Sequence, residues 1–503
     1  MARYKHTDVT DGQGLFLPVN LKEQLLPGTF EYMLNDLIDN KIDIGIFDEN
    51  YKNDKTGAKA VPPSALIKLI IYGYSKGKKS SRGLGELAQD NIIAKALTGN
   101  LEPHWTSIAD FISSNSEKFQ EVFSHVLAYC VELGLVGGDT FAVDGLRLPS
   151  NASMQMSGTK EELEKKLAVY QKTAEKHVAK HRKQDEGREN AQETERNYQK
   201  RQKHLNCQIE KISSFLRIME QKKGKSSKEI KSNVTDNESA VLHSSAGYLQ
   251  GYIGIAVSDK KNQIIVNAEA VGSANEGEYL SGMLDKTLEN LDEVSVKMPE
   301  ETKPVFMADA NYFSEENLKA CRERGVEAII PDGHCNRRLG SNNERRYEAG
   351  DFKYRCEENY YECPNGKRLE YKWQKVLGGQ EGKVYQASVK DCRLCPLNSR
   401  CIRTMKEISK WDKGRQLFIT GSNEPGSLCG AMREKLSVEK YQDMYAYRIQ
   451  IIEPVFANIS YCKGLNRFTL RGKKKVNGQW KLYCMVHNLG KCLKGYNQEK
   501  KYG

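Results

Sequence analysis

Apolar positions in this chain fall into two rhythms, and the change between them divides it into zones. Up to about residue 130 they recur with helical spacing. Val61-Pro62-Pro63-Ser64-Ala65-Leu66-Ile67-Lys68-Leu69-Ile70-Ile71-Tyr72 begins at prolines and predicts a buried helix, since proline suits the first helical position. Gly77-Lys78-Lys79-Ser80-Ser81-Arg82 is a polar, basic break. Leu84 to Leu97 predicts a second helix, and Thr106 is placed to cap a third. Helices joined by a basic turn suit a DNA-binding module and a small wet-surfaced bundle about equally, because no recognition helix stands out.

From Gly137 the apolar runs become short and strand-like. Gly137-Gly138-Asp139-Thr140-Phe141-Ala142-Val143-Asp144 predicts a strand ending in an aspartate. Tyr252–Val257 and Gln263–Ala268 flank the hairpin turn Asp259-Lys260-Lys261-Asn262. A helix over Glu276–Leu291, a strand over Pro304–Asp309, a helix over Ser314–Arg324 capped by Ser314, and a strand at Ala328–Pro331 follow. This order matches a ribonuclease-H-like core. Glu434–Phe456 predicts a later helix and Leu482–Leu493 a closing one.

Two stretches interrupt that pattern. Residues 160–231 hold 20 Lys and Arg against 12 Asp and Glu, a net of +8 out of +11 for the whole chain. They predict a long helix or helical hairpin, with Gly224-Lys225-Ser226-Ser227 as a linker, and suit a solvated arm as well as a DNA-contacting one. Residues 335–425 are polar, aromatic and cysteine-rich. The expected class is therefore α/β. A helical N-terminal domain (1–130) precedes a core (131–157 and 247–334), which is interrupted by a charged helical insertion (158–246) and a Cys-rich β insertion (335–425). C-terminal helices (426–503) complete it.

The 503 residues leave room for two to four domains. A net charge of +11 suits a polyanionic partner. The first residues are polar, and no apolar run approaches the roughly 18 residues of a membrane span. A soluble cytoplasmic protein, nucleoid-associated when bound to DNA, is the expectation. Thirteen cysteines, an odd number, suit reduced thiols with a metal site better than a disulfide framework. Cys392-Arg393-Leu394-Cys395 has zinc-knuckle spacing, Cys363-Pro364-Asn365-Gly366 is a second tight turn, and Cys401 can close a four-sulfur site. Cys356, His334 or Cys335 could substitute, and free cysteines in a small β-subdomain are the plain alternative.

Three carboxylates carry the candidate chemistry. Asp144 and Asp309 end apolar runs, and Glu453 follows Tyr445-Ala446-Tyr447-Arg448 in a helix-like segment. Two strand-end acids and one helical acid can hold a pair of Mg²⁺ ions for a phosphodiester displacement. Asp139 is a rival at the start of its strand, but ligands in α/β sheets gather at the C-terminal ends of strands. Asn275-Glu276, after the third strand, is an auxiliary polar pair. There is no Gly-rich nucleotide loop.

These residues lie in motifs that resemble bacterial insertion-sequence transposases of the DDE class, over nearly the whole length. Pro63–Tyr74 and Ser80-Ser81-Arg82-Gly83-Leu84-Gly85-Glu86-Leu87 resemble the helical N-terminal domain of that family. Val143-Asp144-Gly145 with Asn151-Ala152-Ser153 resembles its first-aspartate motif. Met307-Ala308-Asp309-Ala310-Asn311-Tyr312 resembles its second, with Asn311 where glycine is usual. Tyr447-Arg448 to Glu453-Pro454-Val455-Phe456, then Gly464 to Gly472, resembles the glutamate motif. Against the related Tyr-x-x-Arg-x-x-x-Glu spacing, Glu453 falls one residue late, and Lys463 is the nearest candidate for a lysine that follows.

The resemblance implies Mg²⁺- or Mn²⁺-dependent cleavage and strand transfer at the ends of a mobile element, with Asp144, Asp309 and Glu453 as metal ligands. It implies no covalent enzyme intermediate. Arg448 would contact a phosphate near the scissile bond. Lys463, Arg467, Arg471, Lys473, Lys474 and Lys475 would neutralise DNA backbone, making binding fall steeply with salt. The partners implied are double-stranded DNA (terminal repeats and target) and a second copy of the chain in a synaptic homodimer. A nuclease without strand transfer and an inactive DNA-binding protein are the rival readings.

Overall fold

The computed structural model describes residues 20–51, 59–185, 195–223, 229–244, 247–296, 303–333, 347–377, 380–402, 412–421 and 426–502. His334, Cys335 and the Gly224 linker lie outside them. Two compact units are present: residues 1–111 with 493–503, and residues 112–492.

The first unit is helical: α1 (Phe30–Asn40), α2 (Pro63–Ser75), α3 (Ser81–Asp90), α4 (Ile92–Thr98) and most of α5 (Trp105–Ser114). In α2 every residue from Ala65 to Tyr74 is buried, the signature of a central helix. Two sequence expectations are corrected here. The helix expected over Leu84–Leu97 is broken at Asn91, whose extended backbone ends α3 and whose side chain accepts from Ala94 N to cap α4. Thr106 does not cap α5, which begins at Trp105. Its hydroxyl pairs with His104 Nδ1 instead, at 2.7 Å.

In the second unit, α6 (Phe119–Glu132) leads to β1 (Thr140–Pro149). The charged stretch forms two helices packed on each other, α7 (Lys160–Asp185) and α8 (Glu195–Ile218), around Leu163 and Ile212. Next come β2 (Ala240–Ser244), β3 (Gly247–Asp259), β4 (Ile265–Val271), α9 (Leu280–Glu293), β5 (Val305–Ala308), α10 (Glu315–Glu323) and β6 (Glu327–Ile329). Strand order across this sheet is β2-β3-β1-β5-β6, with β4 also paired to β3. Both β2 and β4 run antiparallel to β3, as β3 does to β1, while β5 and β6 lie parallel to their neighbours.

Strand β1 corrects another expectation. It does not end at Asp144: its pairing to β5 stops at Val143, but its pairing to β3 continues to Pro149. Asp144 therefore stands where the neighbouring strand ends, not where its own does.

The Cys-rich segment is an antiparallel five-stranded sheet, β7 (Lys353–Arg355), β8 (Tyr360–Glu362), β9 (Arg368–Leu377), β10 (Gln380–Ala387) and β11 (Gln416–Thr420), with a small core of its own. The helix expected from Glu434 to Phe456 is two: α11 (Leu428–Lys435) and α12 (Glu439–Ala457), separated where Val438 is extended. The closing helix, α13 (Lys473–Tyr502), is longer than expected. Its Trp480 lies over Gly254 and donates to Ile255 O at 2.9 Å, and Asn488 bonds both N and O of Ile265 at 2.9 and 2.8 Å. Among the described residues no helix is long and apolar enough to cross a membrane.

Candidate active site

Register brings the two aspartates together. Strands β1 and β5 pair in parallel from Thr140 beside Val305 to Val143 beside Ala308, so the next residues along are Asp144 and Asp309. Neighbouring strands lie ~4.8 Å apart. Two carboxylates thus stand side by side at the edge of a buried sheet.

Each is held. Asp144 Oδ1 accepts from Gly145 N at 2.8 Å, and its Oδ2 accepts from Arg448 Nη1 at 2.8 Å. Asp309 caps the short turn Ala310–Tyr312, accepting from Asn311 N at 2.9 Å and from Asn311 Nδ2 at 3.1 Å. Burial, and then the charge on Asp144, push the Asp309 carboxyl above its ordinary range.

Arg448 is buried on the face of α12 that packs against the sheet, with Ile451, Ile452 and Val455. Burial opposes its charge, but Asp144 overrides that and holds the guanidinium above its ordinary range. It is a buried ion pair with Asp144 rather than a surface one.

Glu453 lies on the same helix as Arg448. It lies five positions beyond Arg448, about 140° round the helix. It is exposed and makes no hydrogen bond or ion pair among the described residues. Another carboxylate near the aspartates is Glu276, on the turn before α9, only 3% exposed. Its Oε1 accepts from Arg147 Nη2 at 3.0 Å and from Asn311 Nδ2 at 2.8 Å. Asn311, the departure from the family's glycine, therefore links Glu276 to Asp309. Burial pushes the Glu276 carboxyl up to about 7, with Asp309 and Asp144 adding to the shift and Arg147 opposing it.

Gly145 is required beside this carboxylate. A Cβ there would lie 2.0 Å from Glu276 Oε2 and 2.5 Å from Ile253 Cγ2. Gly145→Ala is expected to destabilise the second unit by ~1–3 kcal/mol, read from urea unfolding. A loss under about 0.5 kcal/mol would mean that Glu276 swings away freely.

The basic residues beyond α12 are partly committed. Arg467 Nε donates to Ser150 O at 2.9 Å and Arg471 Nε to Asn151 O at 2.6 Å, tying this loop to the end of β1. Lys473 pairs with Glu269 at 3.1 Å and Lys474 with Glu117 at 2.5 Å. Lys475 is exposed and Lys463 half-buried.

Cys363, Cys392, Cys395 and Cys401 line one small cavity in the Cys-rich sheet. Backbone N–H groups of Lys367 and Arg415 donate to the Cys363 and Cys392 sulfurs, both at 3.3 Å. Burial pushes the Cys401 thiol up to about 11 and raises Cys392 as well. Cys356 is exposed and is not in that lining. Among the described residues no three His, Cys, Asp or Glu side chains stand as one group placed to hold a metal ion, either here or at the aspartates.

Sequence reasoning named Glu276 only as auxiliary and missed Arg147 and Tyr312. Its available signal was an Asn-Glu pair directly after a buried strand.

Two family models match. Residues 362–493 match a Transposase DDE domain and residues 19–114 a Transposase domain (DUF772). The first takes in the four cysteines, Arg448, Glu453 and the basic loop, while Asp144 and Asp309 lie before it. No curated protein matches the chain. A transposase domain over nearly all the first unit's described N-terminal part and a DDE transposase domain through the C-terminal part of the second together support an insertion-sequence DDE transposase.

Proposed function

We propose that the chain binds the ends of its element and cuts and joins DNA strands by divalent-metal phosphoryl transfer, on a ribonuclease-H-like core. The observation that carries this is the β1–β5 register, which sets Asp144 and Asp309 side by side. The strand order supports the core assignment, since among the described strands of this sheet β3 alone runs antiparallel to β1.

The donor set suits Mg²⁺ or Mn²⁺, which take hard carboxylate oxygens and fill remaining positions with water and substrate phosphate. When bound, a cation pair would supply the charge that activates the attacking oxygen and stabilises the leaving 3′ oxygen. Such a pair, ~3.5–4 Å apart, needs no three carboxylates on a single ion. Asp144 and Asp309 would hold it. Arg448 fixes the orientation of Asp144, and its reading as a phosphate contact requires that ion pair to open. Lys463, Arg467, Arg471, Lys473, Lys474 and Lys475 would meet the DNA backbone. Two element ends must be joined at once, which favours a synaptic homodimer.

The test is cleavage and strand transfer on labelled DNA carrying the element's own ends, with Mg²⁺. Cutting with joining supports the reading. Cutting without joining leaves a nuclease, and binding alone under varied metals leaves a DNA-binding protein.

The four-cysteine cavity is proposed as a structural zinc site, in which the thiols would deprotonate on binding and the backbone N–H groups of Lys367 and Arg415 would support the resulting thiolates. Purified protein is expected to carry about one zinc per chain by elemental analysis, and Cys395→Ser to lose it. Native protein free of zinc would end this assignment.

A further inference from the structure

We propose that the polar cavity at the foot of the helical hairpin holds the phosphodiester backbone of bound DNA, with Lys211, His204 and Arg471 as its contacts. This rests on the DNA-binding reading above and extends it to the charged insertion.

The cavity measures about 500 Å³ and lies between α7, α8, the loop after β1 and the residues Val234 and Thr235. Its α8 wall is His204, Gln208 and Lys211, spaced i, i+4, i+7 and so on one face. Leu205 and Ile212, each one position further on, are buried and fix that rotation of the helix. Tyr170 of α7 and Arg471 of the basic loop complete the lining, and among the described residues no carboxylate takes part in it. Lys211 and His204 are exposed and make no ion pair or hydrogen bond among the described residues. Arg471 commits its Nε to Asn151 O, and its two terminal amino groups have no partner among the described residues. An ammonium, a guanidinium and an imidazole N–H are donors in want of acceptors, which phosphate oxygens supply.

The floor is held before any ligand arrives. Asn233 Nδ2 donates to Ser153 O and Ser157 Oγ, both at 2.8 Å, and its Oδ1 accepts from Thr235 N at 2.8 Å. Val234 N donates to Met156 O at 3.0 Å, and both side chains pack with Leu163 and Ile212 at the hairpin's foot. The cavity also continues the line of the candidate chemistry. From Asp144 to Pro149, β1 runs ~16 Å at ~3.3 Å per residue. The next two residues, Ser150 and Asn151, accept from Arg467 and Arg471. Aspartates, basic loop and cavity thus follow one another along β1. Phosphates of one strand advance ~3.4 Å each along a duplex, so that length of β1 matches about five of them. A small-molecule pocket would be mostly apolar, whereas this lining is polar and cationic.

Equilibrium binding of the full chain to labelled element-end duplex without Mg²⁺, over a series of salt concentrations, tests this. Wild type, Lys211→Ala, Lys211→Arg and Lys172→Ala are compared, with thermal melts to check the fold. Lys172 is exposed on the same hairpin, about 200° round α7 from Tyr170. Loss of one phosphate contact lowers the slope of log affinity against log salt by ~0.9. Lys211→Ala is expected to show that drop and to bind about fivefold or more weakly at about 0.1 M salt. The loss should be the same on a shuffled duplex, because a phosphate contact carries no sequence information. Lys211→Arg and Lys172→Ala should keep the wild-type slope. An unchanged slope in folded Lys211→Ala, or an equal drop in Lys172→Ala, overturns the proposal and leaves the DNA-binding reading intact. A wild-type chain that binds neither duplex overturns both.

Discussion

Asp144→Asn is expected to leave a chain that binds element-end DNA and does not cut it. Asparagine keeps the shape and can still accept from Gly145 N, so β1 is undisturbed. What disappears is the negative charge shared with Arg448 and set beside Asp309. A metal centre supplies several kcal/mol of transition-state stabilisation, so cleavage should fall by about 10³-fold or more. Mobility shift on the same labelled DNA separates binding from cutting, and a thermal melt checks the fold. Cutting within about tenfold of wild type, ~1.4 kcal/mol in the barrier, would remove Asp144 from the chemistry.

Trp480→Ala should give the largest loss of stability. Trp480 is 0% exposed, and its ring occupies the space above Gly254, where a Cβ would come within 2.8 Å. Phe456 and Phe468 flank it at centroid distances of 6.4 and 6.5 Å. Truncating a buried tryptophan costs ~3–5 kcal/mol through lost contacts and the cavity left behind. That is a large share of the ~5–15 kcal/mol holding a domain together. The loss should reach the site, because Ile255, whose carbonyl Trp480 bonds, lies opposite Gly145 in the sheet. Trp480→Phe keeps most of the volume and forfeits the hydrogen bond, at about 1 kcal/mol. Urea midpoints measure both. An alanine variant within ~1 kcal/mol of wild type would show that α13 is not what pins the sheet.

The local rules were legible wherever a residue acts on its own neighbours. Prolines started α2, Ser314 capped α10, and the apolar runs of β3 and β4 on either side of Asp259-Lys260-Lys261-Asn262 set a hairpin. They failed where two short-range options compete. Asn91 reads as a helix interior until its side chain is seen bonding Ala94 N, and Thr106 reads as a cap until His104 takes its hydroxyl. The end of β1 was misplaced because a strand stops where its partners stop, and β3 is a partner more than a hundred residues away.

The sequence by itself determined that a helical N-terminal segment is followed by an α/β core, that Asp144 and Asp309 close apolar runs, and that four cysteines share one segment. These follow from periodicity and spacing, which the chain states directly. Only the tertiary structure decided which groups share a site. Whether a helical acid faces a sheet depends on the rotation of that helix, and one residue turns it by about 100°. Packing of Ile451, Ile452 and Val455 sent Arg448 to Asp144 and Glu453 to solvent. Glu276 reached the aspartates because the turn before α9 is clamped against the Asp309 loop. Burial without a partner is a property of neighbours in space, and no spacing along the chain records it.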